Sequence, residues 1–179
     1  MSSTILETLK TLGKNKHEVG TLANWTSEVI NLGAIVTEAD IDNYTLVELS
    51  FNEKGERVCK QLSAHSNKAY LIASPEEYMP EFGEGIANFY NAVNERARIV
   101  KLVEGKRFDT SAFSKDNTSK EIKNGQKAHF DIATKKFIIS NDTTDNEGYT
   151  NAGAKFVVVE ATGRSLDGKE LVRFEIVEA

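Results

Sequence analysis

The chain of 179 residues carries a formal net charge of −5 and 40% hydrophobic residues, which is enough apolar material for one large or two small folded domains. The excess of acidic residues argues against a general nucleic-acid binder, because neutralising phosphates requires clustered Lys and Arg. No stretch approaches the roughly 20 apolar residues that cross a bilayer, and residues 1–12 lack the pattern of a secretion signal, so we expect neither membrane binding nor export.

Residues 1–32 are expected to form an N-terminal arm or helical segment. Apolar residues at helical spacing before Gly13 predict a short helix, and a second apolar pattern follows up to residue 32. A segment that buries little of its own surface often docks elsewhere, so we expect Leu22, Trp25 and Val29 to form an interface with another subunit. The alternative is that this segment is an ordinary element of the core.

Four strands are predicted between residues 33 and 75, where β-branched and aromatic residues are frequent. They cover residues 34–36, 45–51, 56–62 and 69–74. A polar loop ending in Gly55 separates the second strand from the third, which predicts an antiparallel hairpin. Cys59 lies in the third strand and, as the only cysteine, is expected to be a small core side chain that forms no internal disulfide.

A central amphipathic helix is predicted next. Ile86, Phe89, Tyr90 and Val93 recur at intervals of three and four residues, which places apolar side chains on one helical face. Two further strands follow, over residues 99–103 and 107–113. These elements together predict an α+β domain over residues 33–113.

The C-terminal part is predicted to be a β-hairpin module over residues 125–179, after a polar loop or linker at residues 114–124. Alternating apolar residues and short turns predict two hairpins. Their strands cover residues 128–132 with 137–140, and residues 155–162 with 170–178.

The predicted fold class is therefore α+β, mainly antiparallel β. It consists of small barrel- or sandwich-like β modules with one central amphipathic helix and an N-terminal helical or extended arm.

The sequence predicts no catalytic residue, no cofactor and no metal site. It contains no G-x-S-x-G nucleophile elbow, no Walker A loop and no G-x-G-x-x-G fingerprint. His17, His65 and His129 are far apart in the sequence and lack partners at ligand spacing, so we expect surface or structural histidines. The polar loop over residues 141–153 offers oxygen atoms to calcium, but their order departs from the EF-hand loop and favours a solvated turn.

Four segments carry a resemblance to a class of proteins. They are IDNYTLVELSFNEKGERVCKQL at residues 41–62, KAYLIAS at 68–74, NFYNAVNERARIVKLVEGKRFDTSAF at 88–113 and NGQKAHFDIATKKFIIS at 124–140. Together they resemble virion structural proteins of bacteriophages that infect Gram-positive bacteria, over most of the chain from residue 33 onward. The resemblance implies a capsid-associated or decoration component that acts by binding and has no catalytic residues.

The resemblance also implies the partners and the location. The partners are the major capsid protein or other virion proteins, bound by a homo-oligomer or by many copies on a lattice, and no nucleic acid or membrane is bound. The protein is then made in the cytoplasm of the host bacterium and resides in the virion capsid. Three alternatives stay open: a tail or head-completion protein, a ligand-binding module or enzyme that uses the 141–153 loop or the acidic surface, and a host protein of unknown role.

Overall fold

The computed structural model describes residues 28–75, 89–115, 121–140, 147–164 and 170–179, with the backbone alone described for residues 161–164. Within these ranges the chain is almost entirely β. The strands are β1 (Ala34–Val36), β2 (Leu46–Phe51), β3 (Arg57–Gln61), β4 (Tyr70–Ile72), β5 (Arg96–Ala97), β6 (Ile99–Lys101), β7 (Arg107–Thr110), β8 (Phe113–Lys115), β9 (Lys127–Asp131), β10 (Lys136–Ile139), β11 (Lys155–Arg164) and β12 (Glu170–Glu178). The one helix in this part of the chain is α1 (Glu147–Asn151).

The predicted α+β fold class with a central amphipathic helix is wrong. The described part of that predicted helix begins at Phe89 and is not helical. Asn91 forms an antiparallel bridge with Ile41, and its buried side-chain amide also donates to the Ile41 carbonyl oxygen at 3.2 Å. Asn94 has a φ of 69°, which no right-handed helix accepts. Long-range pairing therefore overrides the helical spacing of the apolar residues. The predicted N-terminal arm lies outside the described residues up to residue 27.

Strands β1 to β6 form one sheet in the order β5-β1-β3-β2-β4-β6. Its two edge strands, β5 and β6, are consecutive in the chain and are separated only by Arg98, so the sheet must curl until its edges meet. Residues 28–30 complete the closure, because Val29 bridges Val100 and the Ile30 amide donates to the Ile99 carbonyl oxygen at 2.8 Å. We call this closed unit the first barrel.

Strands β7 to β12 form the second sheet in the order β7-β12-β11-β9-β10-β8. Its edge strands, β7 and β8, are again consecutive and are separated by Ser111 and Ala112. The Ala112 carbonyl oxygen accepts a hydrogen bond of 2.8 Å from the Phe137 amide beside the pairing of β8 with β10. Register shifts along β11 increase the bending that closure requires. We call this unit the second barrel.

The two barrels share one topology. If β5 and β6 count as the fifth strand of the first barrel, and β7 and β8 as the first strand of the second, each barrel has five strands. In both barrels the first strand pairs in parallel with the third. All other pairs are antiparallel: third with second, second with fourth, fourth with fifth, and fifth with first. One supersecondary plan is therefore used twice along the chain.

The interiors of the barrels differ in the size of their side chains. The buried residues inside the first barrel are Ala34, Val36, Ile41, Val47, Cys59, Ile72, Ala97 and Ile99. Those at the centre of the second barrel include the fully buried Phe108, Phe130, Phe137, Phe156 and Phe174. Neighbouring ring centroids in this group lie 5.1 to 6.4 Å apart, mostly tilted or edge to face. Such pairs contribute about 0.5–1.5 kcal/mol each beyond the area that they bury.

The barrels pack against each other. Leu46, Leu71 and Val100 face outward from the first barrel and join the interior of the second in one buried cluster. The loop after β3 adds a second contact, because the ring of His65 lies 6.4 Å from the ring of His129 in β9. Packing by large apolar groups of this kind is expected to couple the two barrels in unfolding.

The three predicted hairpins are confirmed. Strand β2 pairs with β3, β9 with β10, and β11 with β12, each antiparallel. Cys59 is buried inside the first barrel, as expected. The predicted domain division at residues 114–124 stays a prediction, and the change from the first sheet to the second falls between Lys101 and Arg107.

Candidate functional site

The open end of the first barrel forms a cavity of about 490 Å³. Its walls follow from strand alternation: Val47, Leu49 and Phe51 face the barrel interior from β2, and exposure rises along them toward the strand end. Tyr70 and Lys101 are cross-strand partners that face the same side from β4 and β6. We call this cavity the barrel mouth. It is lined by Val29, Ile30, Asn31, Leu49, Ser50, Phe51, Arg57, Tyr70 and Lys101.

Two large apolar side chains are exposed beside the barrel mouth. Phe51 is 69% exposed and Leu32 is 76% exposed. Arg57 is the cross-strand partner of Phe51 and also binds the carbonyl oxygens on both sides of Leu32, so it links the two backbone segments that carry these residues. Exposed apolar groups that adjoin a cavity are typical of protein-binding surfaces.

Leu32 sits on a bulge that two arginines hold in place. The backbone enters the left-handed region at Leu32, with φ 62°, and at Gly33, with φ 52°. Arg57 Nη1 donates to the carbonyl oxygens of Asn31 at 2.9 Å and Gly33 at 3.2 Å. Arg96 Nη1 donates to the Leu32 carbonyl oxygen at 3.2 Å. Gly33 is required here, since a Cβ at this position would overlap the Ala97 carbonyl oxygen.

The conformation of Leu32 is unfavourable for a side chain with a Cβ. A non-glycine residue in the left-handed region costs roughly 1–3 kcal/mol, and such strain persists where the surroundings impose it. The exposed side chain recovers little of this cost through burial in the described structure.

The barrel mouth is a basic spot on an acidic protein. Arg57 and Lys101 are the charged residues among the described ones that line it, although the whole chain carries a net charge of −5. None of the described lining residues carries a carboxylate, so this lining supplies neither the acid pair that a glycosidase uses nor a carboxylate ligand for calcium. Its composition suits an acidic partner.

Glu48 organises the loop between β3 and β4, which contacts the second barrel. Its carboxylate accepts hydrogen bonds from the Asn67 side chain at 2.6 Å and from the Ser63 amide at 3.1 Å. Partial burial alone raises the pKa of Glu48, but the hydrogen bonds from Asn67 and Ser63 and the charge of Lys60 outweigh it, so the pKa lies below its ordinary value of 4.5. This loop carries His65, which contacts the second barrel.

The described residues offer little to a metal ion. They contain no group of three or more His, Cys, Asp or Glu side chains placed to share one. His17 and residues 141–146 lie outside the described ranges. The described part of the polar loop forms α1, where the buried Tyr149 ring lies 5.2 Å from Lys127 Nζ and 5.8 Å from Lys155 Nζ. These contacts fix α1 on the second barrel.

The predicted interface residues are described only in part. Leu22 and Trp25 lie outside the described residues. Val29 is half-buried, bridges Val100 and lines the barrel mouth. An interface through these three residues stays a prediction.

Sequence reasoning missed Leu32 and Phe51. The sequence predicts Leu32 only as the last residue of the N-terminal arm, and Phe51 only as the last residue of a strand. A leucine directly before a glycine and a phenylalanine directly before a polar turn are the signals that were available. Neither signal reveals exposure, which depends on where the barrel ends.

No helix in the described part of the chain is long and apolar enough to span a membrane.

Comparison with known proteins supports a phage origin. The YonC prophage protein family matches residues 13–177. A curated relative from Bacillus subtilis (strain 168), the SPbeta prophage-derived uncharacterized protein YonC, is 47% identical over 167 residues, which cover 91% of this chain and 92% of the relative. No solved structure matches the chain. The phage part of the sequence resemblance is thereby confirmed, and the virion part stays a prediction. The chain belongs to the YonC prophage protein family.

Proposed function

We propose that this protein is a non-enzymatic structural component of the phage virion, a decoration protein that binds neighbouring major capsid subunits. Its effect is to raise the barrier to separation of those subunits when the packaged genome presses outward. The proposal is supported by membership of a prophage protein family and by the sequence resemblance to virion proteins.

The observation that carries the proposal is the pair of barrels with one topology in a single chain. A rigid unit with two similarly built ends can contact two subunits of a lattice at once. Linking two weak contacts in this way raises the overall affinity by about 10²–10⁴ when the spacing fits. Many copies bound to a symmetric shell then reinforce the shell, although no single interface is strong.

The reactive groups of the described chain also favour binding over catalysis. The Cys59 thiol is buried, and burial raises its pKa to about 11, so almost no thiolate exists at neutral pH. Glu48 and Asp131 are held as carboxylates by hydrogen bonds that lower their pKa against the opposing effect of burial. Cys59 is therefore not activated as a nucleophile, and neither Glu48 nor Asp131 is held protonated as a general acid.

A ligand-binding module is the second candidate, and the barrel mouth favours it. Its volume of about 490 Å³ lies in the range of small-molecule sites. That function predicts a higher melting temperature with one member of a metabolite panel, and loss of this shift in Phe51→Ser. A tail or head-completion protein is the third candidate and differs in the number of copies per particle.

The proposal is tested with particles that lack the protein. The gene is deleted from a lysogen of the phage that carries it, and the induced heads are purified and mixed with the purified protein. We expect co-sedimentation with the heads and a higher temperature of genome release. Failure to co-sediment, with release unchanged, contradicts the proposed function.

A further inference from the structure

We infer that the barrel mouth is a docking site for an acidic, apolar segment of another protein. The segment inserts an aromatic or branched aliphatic side chain between Phe51, Leu49 and Tyr70, and places a carboxylate beside Lys101. The inference deepens the proposed function, and the identification of that other protein as a capsid subunit rests on it.

The shape and chemistry of the mouth support an apolar anchor. Leu49 and Tyr70 are half-buried at its base, and Phe51 stands at its rim. One large side chain of a partner would shield all three from water, which is how the central anchors of protein interfaces gain most of their free energy. Leu32, on the segment that Arg57 holds, is a further exposed apolar side chain.

The charges of the barrel mouth indicate which charges the partner carries beside its apolar anchor. Arg57 and Lys101 line it without an acidic counterpart among the described lining residues. Carboxylates on the partner would be attracted here, whereas cations would be repelled.

The bulge prepares this surface before binding. Hydrogen bonds from Arg57 and Arg96 to the carbonyl oxygens of residues 31–33 fix the backbone that presents Leu32. A surface that is already ordered loses less conformational entropy on binding. Two cations on a chain of net charge −5 are too few for phosphate-backbone binding, so a protein segment is favoured over nucleic acid.

The test uses three fluorescent dodecapeptides and the full-length protein. The first alternates Phe or Leu with Glu, the second replaces Glu by Lys, and the third replaces Phe and Leu by Ser. Fluorescence anisotropy is expected to show saturable binding of the first peptide, with a Kd below about 100 μM, and binding at least about tenfold weaker for the other two. No saturable binding of the first peptide, or equal binding of the first and second, overturns the inference.

Matched variants locate the binding site. Phe51→Ser and Lys101→Gln are each expected to weaken binding of the first peptide at least about fivefold. Val103→Ser and Lys123→Gln change an exposed apolar and an exposed basic residue elsewhere and should leave binding unchanged. Thermal melts establish that each variant is folded. If the control variants lose as much affinity for the first peptide as Phe51→Ser does, or if Phe51→Ser loses none, the inference is overturned.

Residues 1–27 of the same chain are the other possible occupant. If they fill the mouth, the full chain shows no saturable binding of the first peptide. That result overturns the inference in favour of an internal contact.

The peptide experiment and the particle experiment test the docking site and the decoration role independently. If the first peptide binds through Phe51 but heads do not bind the protein, the docking site stands and the decoration role fails. If heads bind wild type and Phe51→Ser equally, the decoration role stands and this docking site fails.

Discussion

Single residues of the first barrel differ in their burial and in the partners that they bind. Cys59, Leu32 and Glu48 belong to the same barrel and have different surroundings: Cys59 is buried, Leu32 is exposed on a left-handed backbone, and Glu48 accepts several hydrogen bonds. The sequence was sufficient to predict the burial of Cys59, because its neighbours form a strand. It was insufficient for Leu32 and Glu48, whose roles depend on Arg57 and Asn67 reaching them from other segments.

Cys59 is expected to be inert in the folded protein. Burial raises the pKa of its thiol to about 11 and also blocks access by reagents. Reaction with a chromogenic disulfide at pH 8 should be slow in buffer and rapid in denaturant. Fast stoichiometric reaction of the native protein would contradict the burial of this residue.

Glu48 is expected to make the protein sensitive to acid. Its folded pKa lies below its ordinary value of 4.5, so its contribution to stability is present above pH 4.5 and is lost as the pH falls through the folded pKa. Glu48→Gln should lower the melting temperature at pH 7 and reduce the loss of stability between neutral pH and pH 3. Glu53→Gln, in the exposed turn after β2, is the control and should change neither value.

At the scale of elements, local signals predicted hairpins and long-range pairing decided the rest. Strands β2 and β3 could be predicted because a short polar turn that contains Gly55 joins two β-rich segments. The pairing of Ala34 with Ala97 could not, because neither segment contains any sign of its distant partner. The predicted helix failed for the same reason: the Asn91 pairing with Ile41 is invisible in the local apolar spacing.

Closure of the first barrel is expected to depend on Gly33. Gly33→Ala introduces a Cβ that overlaps the Ala97 carbonyl oxygen and adds the cost of a left-handed φ, so we expect a loss of more than about 2 kcal/mol. Gly55→Ala is the control, since Gly55 also has a positive φ but nothing lies within 4 Å of the added Cβ. It should lose only about 1 kcal/mol in urea unfolding. Equal losses in both variants would show that the close approach to Ala97 is unimportant.

At the scale of the whole molecule, two barrels of one topology are joined by a shared buried cluster. The sequence shows no repeat that reveals this plan, because the two interiors are filled differently, with aliphatic residues and Cys59 in one and phenylalanines in the other. The two barrels therefore share one topology although their side-chain patterns differ.

The barrels are expected to unfold together. Phe137 contacts four other phenylalanine rings, and Phe137→Ala should cost about 3–5 kcal/mol. Because the cluster continues onto the first barrel, the urea concentration at which Cys59 becomes reactive should fall with it. Unchanged reactivity of Cys59, with loss of the second barrel by circular dichroism, would show that the barrels unfold independently.

The most direct test of the central proposal is the number of copies in purified virions, measured by quantitative mass spectrometry against the major capsid protein. A decoration protein that acts by multivalent attachment to a lattice should be present on the order of hundreds of copies per particle. Absence from the virion, or a few copies only, would contradict the account.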